Sequence, residues 1–166
     1  MDAPLSAPSR GSFWQRRVIA PIVAQLTQGV TPQKIALTLA LGLVCGIFPF
    51  LGFTTALCFV VALAFRLNQP IIHVINQLLW PVQLPLIAVY VKMGARLYGA
   101  DVMTFNVQDI TRVFWASQSE FWARFGMMGV YALSAWLISV PVIAGLAYYA
   151  TLPALRKLAS TRPSQP

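Results

Sequence analysis

Acidic residues are nearly absent from this chain of 166: there are four, and charged residues of either sign make up 10% of it. Soluble domains carry about 25%, so a water-facing surface of ordinary composition is excluded. One histidine and two cysteines leave no ligand set for a metal. Cys45 and Cys58 lack the spacing of a redox or zinc motif and read as small apolar core residues. General acid–base chemistry needs positioned titratable groups, and the long apolar runs hold one histidine and no acid. No catalytic site, metal or cofactor is therefore expected.

Apolar residues, at 58%, fill what charge leaves empty. No Lys or Arg occurs in residues 35–65, 67–91 or 125–155. The net charge of +8 gathers where those runs end, which suits anionic headgroups. A basic stripe with interleaved aromatics is missing, so nucleic acid is not an expected partner. At about one domain in length, the chain is expected to be an all-α integral membrane helical bundle.

Residues 1–11 are rich in Pro, Ser and Ala and read as a disordered tail, followed by a single membrane domain over 12–151. Residues 12–28 read as an interfacial helix, with Ile19, Ile22, Val23 and Leu26 on one face. Thr31-Pro32 is a helix start, a capping hydroxyl followed by Pro at the first position. Gly42 and Gly46 are spaced for close approach by a neighbouring helix.

The next run is too long for one span. A straight helix over 35–65 would measure about 46 Å, against a hydrocarbon core of about 30 Å. Pro49 removes a donor, Gly52 supplies a turn with φ > 0, and Thr54 or Thr55 is placed to cap a new helix. Residues 32–66 thus read as a broken segment, a re-entrant hairpin or two short tilted spans. Residues 70–98 read as a second broken segment, entered at Pro70 and interrupted by Pro81 and Pro85. His73, Asn76, Gln77 and Trp80 share a helical face there, and lipid offers hydrogen-bonding groups no partners, so this face is expected to point inward.

Residues 104–125 read as another interfacial helix and 126–151 as a transmembrane helix. Residues 152–166 form a basic tail. The distribution of basic residues places the N-terminus in the cytoplasm.

Gly42, Gly46, Phe48-Pro49, Gly52, Thr54-Thr55 and the run Arg66-Leu67-Asn68-Gln69-Pro70 resemble a bacterial membrane family catalogued as domain of unknown function 2062. Trp80-Pro81-Val82-Gln83 keeps the Pro of that family's Asn-Pro-x-Thr stretch and replaces the Asn and the Thr. The resemblance implies a multi-pass protein of the bacterial inner membrane and no particular activity. Fusions of some relatives to glycosyltransferases imply proximity to lipid-linked sugar or envelope chemistry.

Two functions fit the residues. In the first, half-helix starts at Thr54/Thr55 and Pro81/Gln83 aim positive dipole ends at the midplane. A binding site for an anionic or lipid-linked envelope substrate would then comprise Thr54, Thr55, Arg66, Asn68, His73, Asn76, Gln77 and Gln83, with transport or handling of that substrate as the function. In the second, the same side chains join helices, and the protein is a structural or accessory subunit of a membrane complex or a homo-oligomer. Membrane lipids are partners in both.

Overall fold

The computed structural model describes residues 30–100, 112–113 and 115–160. The tail at 1–11, the expected interfacial helix at 12–28 and the first part, 104–111, of the interfacial helix expected at 104–125 lie outside the described residues. Among the described residues the regular structure is all helical, with no strand.

Helix α1 spans Pro32–Gly46. Thr31 caps it, its hydroxyl accepting from the Lys34 N–H at 3.4 Å, with Pro in the first turn. After the break, α2 spans Thr54–Ala64. The lengths come to about 22 and 16 Å, so neither helix reaches across a bilayer core. Ile35, near the start of α1, packs with Ile71, and Leu67, just past α2, packs with Ile72. Both ends of the pair therefore meet the first turn of the following helix, and α1 and α2 form a hairpin whose tip is the break.

Helix α3 spans Gln69–Leu97 without interruption. This corrects the expectation of a second broken segment. Pro81 and Pro85 are one turn apart, and the carbonyls of Gln77 and Pro81 lose their i+4 helical donors on the same side. Gln77, Trp80, Pro81, Leu84, Pro85 and Ala88 are all exposed. The prolines thus sit on an arc of the helix that is exposed among the described residues, while the opposite arc is held by the hairpin and the last helix.

Helix α4 spans Gln118–Ser160. Ser117 begins it as the first residue of a Ser-x-x-Glu capping box, its hydroxyl accepting from the Glu120 N–H at 3.3 Å. The division expected near residue 126 does not occur, because nothing at Gly126 stops the helix, and the helix continues to Ser160, past the boundary expected at 151. It runs antiparallel to α3: Tyr98 bonds Ser134, Tyr90 bonds Ser139, and Leu152 and Leu155 pack on Ile71.

Glycines set the closest approaches. A Cβ on Gly42 would meet the side chains of Ile72 and Ile75, and one on Gly46 would meet Leu79. The expected close neighbour of the Gly42/Gly46 pair is therefore α3. At Gly94 a Cβ would fall on the backbone carbonyl of Tyr131, so α3 and α4 touch backbone to backbone.

Candidate functional site: the hairpin and its mouth

The break begins with a donor that does not exist. Pro49 has no N–H for the Cys45 carbonyl, and the Phe48 N–H donates to Cys45 instead, at 3.2 Å. The Val44 carbonyl is thereby left without its helical donor. The indole N–H of Trp136, from α4, supplies one at 3.1 Å. The Phe48 carbonyl is likewise taken by the Gln83 side-chain amide, from α3, at 2.8 Å. Gln83 is only 1% exposed, and the Phe48 ring packs edge-on against Trp136 with centroids 4.9 Å apart. Gly52 turns the chain at φ 84.

The expected caps at the start of α2 are not made. Phe53 occupies the cap position with no side-chain bond; Thr54 is buried, and the Thr55 hydroxyl instead accepts from the Asn76 amide at 3.3 Å. A half-helix start at Pro81/Gln83 does not exist, since α3 is continuous there.

The expected inward face of α3 is also rotated. Asn76 is buried and His73 half-buried, but Gln77 and Trp80 are exposed, Trp80 by 63%. What points inward is a series at seven-residue spacing: Gln69, Asn76, Gln83 and Tyr90. A heptad falls about 20° short of two full helical turns, so the four lie nearly in line. Gln69 donates to the Phe59 carbonyl at 3.3 Å, and Tyr90 shares a hydrogen with Ser139 at 3.2 Å. Each member of the series ties α3 to a different level of its neighbours. Gln69, Tyr90 and Trp136 escaped the sequence reading; the heptad of polar residues was the signal for the first two, whereas nothing local marks Trp136.

At the mouth of the hairpin the run 66–70 builds a compact turn. Leu67 N–H bonds the Ala62 carbonyl at 2.7 Å and Arg66 N–H bonds Leu63 at 3.2 Å, the two bonds of a Schellman motif. Leu67 is buried with Ala62, Cys58, Cys45 and Ile72. Asn68 caps α3, its side-chain oxygen accepting from the Ile71 N–H at 3.0 Å, and Pro70 follows in the first turn. The Gln69 side-chain oxygen is buried without a partner among the described residues.

Arg66 itself takes the left-handed position of the motif, at φ 51, where glycine is the usual residue. The end of α3 provides the internal comparison. There Ala100 N–H bonds Ala95 and Gly99 N–H bonds Arg96 in the same pattern, with Gly99 at φ 62. An L-residue in this conformation costs roughly 1–2 kcal/mol. The Arg66 side chain is exposed.

The structure thus places the eight expected site residues in three settings. Thr55, Asn76 and Gln83 work inside the hairpin contact, with Thr54 buried beside it. Arg66 and Asn68 shape the mouth. His73 lies half-buried near the first turns of α3, and Gln77 faces outward. No cluster of three or more potential metal ligands occurs among the described residues.

A family model described as an uncharacterised protein conserved in bacteria (DUF2062) matches residues 16–163. The chain belongs to this family. The match extends past the stretch 42–97 that carries the sequence resemblance and takes in α4, whose Trp136 completes the tip. No curated protein and no solved structure matches the chain. Two of its helices, α3 and the stretch Phe125–Ser160 of α4, are long and apolar enough to cross a membrane.

Proposed function

We propose that this DUF2062 protein is a multi-pass protein of the bacterial inner membrane that handles an anionic, lipid-borne envelope substrate in the leaflet its hairpin enters. The observation that carries the reading is the hairpin itself: too short to cross, it leaves from the end of α3 at which it arrived. Only 22% and 17% of the most apolar stretches of α3 and α4 are buried, whereas the core helix of a soluble protein is buried over most of its length. Phe53, Phe59, Leu63, Leu137, Ile138 and Leu146 are each more than half exposed, a surface suited to hydrocarbon.

Charge orients the molecule. Lys34, Arg66, Arg156 and Lys157 lie at the mouth end, and Arg10, Arg16, Arg17 and Arg162 occur in the adjoining terminal segments of the sequence. Lys92 and Arg96 lie at the other end of α3, and the sequence that follows contains Arg112 and Arg124 beside Asp101, Asp109 and Glu120, which makes four basic residues against the eight named for the mouth end and its adjoining segments. The cytoplasmic side carries the Lys/Arg excess, so the mouth and both termini face the cytoplasm. Two helices cross, and the hairpin re-enters between them.

The test is the lipid that accompanies the protein. Extracted in mild detergent, it should carry phosphate-bearing anionic lipid enriched over the bulk membrane; a bound fraction with bulk composition contradicts the reading. The alternative, a structural or accessory subunit, draws support from the tip, where Gln83, Asn76 and Trp136 are engaged with the chain's own groups. A partner protein recovered in fixed stoichiometry, with bulk lipid only, would favour it.

A further inference from the structure

We propose that Arg66 and the exposed face of α2 form a seat for one anionic phospholipid, the guanidinium holding the phosphate and the acyl chains lying along Phe59, Val60 and Leu63. The proposal rests on the leaflet assignment above and names the ligand of that mouth. In the turn that Arg66 begins, the other residues serve the fold: Leu67 fills the core, Asn68 caps α3, Gln69 binds the Phe59 carbonyl and Pro70 opens the helix. Arg66 is the exception. Its backbone conformation favours glycine, which the matching motif at Gly99 has, and its side chain is exposed and enters no hydrogen bond or ion pair with the described residues. A residue that strains its backbone while its exposed side chain bonds none of the described residues is explained by what that side chain meets outside the chain.

The surroundings indicate a lipid. Phe59, Val60 and Leu63 are 53%, 60% and 66% exposed and follow one another at helical spacing along the face that leads to Arg66. An apolar track ending in a guanidinium matches an acyl chain ending in a phosphate, and Arg binds phosphate through two parallel hydrogen bonds where Lys offers a point charge. Lys34, at the same end of the hairpin, adds charge of the same sign.

The experiment compares the full chain with Arg66→Gly and Arg66→Lys, using phosphatidylglycerol and phosphatidylcholine as probes in native mass spectrometry and melting assays. Arg66→Gly should melt about 3 °C higher without lipid, since it relieves the left-handed residue. It should bind phosphatidylglycerol about tenfold more weakly, with phosphatidylcholine unchanged. Arg66→Lys should fall between. Phosphatidylglycerol binding by Arg66→Gly within twofold of the parent overturns the seat, as does a lower melting temperature, which would remove the strain premise. Inorganic phosphate stabilising the parent as strongly as the lipid overturns the choice of ligand. A parent that purifies enriched in anionic lipid beside an Arg66→Gly variant equally enriched refutes this seat alone; a parent without enrichment refutes the wider reading as well.

Discussion

Replacing Gln83 by methionine keeps the length and nearly the volume of the side chain and deletes its amide. In the native protein that amide donates to the Phe48 carbonyl at 2.8 Å from a site 1% exposed to solvent. The carbonyl lies at the tip of the hairpin, on the residue whose ring packs against Trp136. Leaving a buried acceptor unsatisfied costs about 1–3 kcal/mol, and the methionine recovers the packing, so the loss should be near 2 kcal/mol. For a chain of this size that lowers the melting temperature by about 6 °C, measurable in detergent by tryptophan fluorescence. Trp136→Phe deletes the donor to Val44 and should cost a similar amount. Because the two bonds hold consecutive parts of one break, the double variant should deviate from additivity by at least about 0.5 kcal/mol. A Gln83→Met protein as stable as its parent would refute the claim that the break depends on borrowed donors.

Other substitutions test the remaining contacts. Gly94→Ala should lose most of its folded yield, because the new Cβ meets the Tyr131 backbone, which cannot move without separating α3 from α4; size-exclusion profiles of the two proteins will show it. Gly46→Ala should cost less, about 1–2 kcal/mol, since the atom it would overlap most is the far end of Leu79, with Leu79 Cβ and the Asn76 backbone at tight but tolerable range, and a melting curve checks this. Tyr90→Phe removes one hydrogen bond to Ser139 and should lower stability by about 0.5–1.5 kcal/mol.

The parts legible in the sequence are those set by local chemistry. Thr31-Pro32 starts α1, Pro49 and Gly52 interrupt the first run, and Arg66 to Pro70 make a turn, because each acts on backbone within a few residues of itself. The fate of Pro81 and Pro85 was not legible. A proline removes a hydrogen bond wherever it stands, but whether the helix breaks depends on what packs around it, and here an outward arc of α3 accommodates both. The orientation of α3 was hidden for a related reason: His73, Asn76, Gln77 and Trp80 do share a face, yet the hairpin occupies the arc marked by Gln69, Asn76, Gln83 and Tyr90. Trp136 lies 92 residues from the carbonyl it serves, and only the folded chain brings the two together. The candidate site changed accordingly. Its polar residues at the tip are engaged with the chain's own groups, and the charged candidate that stays exposed is Arg66 at the mouth.

The proposed re-entry of the hairpin is tested most directly by the sidedness of its two ends. In a background with Cys45→Ala and Cys58→Ala, single cysteines at Lys34, Arg66, Lys157 and Arg96 are treated with a membrane-impermeant maleimide in spheroplasts and in inverted vesicles. Positions 34, 66 and 157 should label only in inverted vesicles, and position 96 only in spheroplasts. Labelling of 34 and 66 from opposite sides would mean that the first run crosses the membrane, and would contradict the re-entrant hairpin.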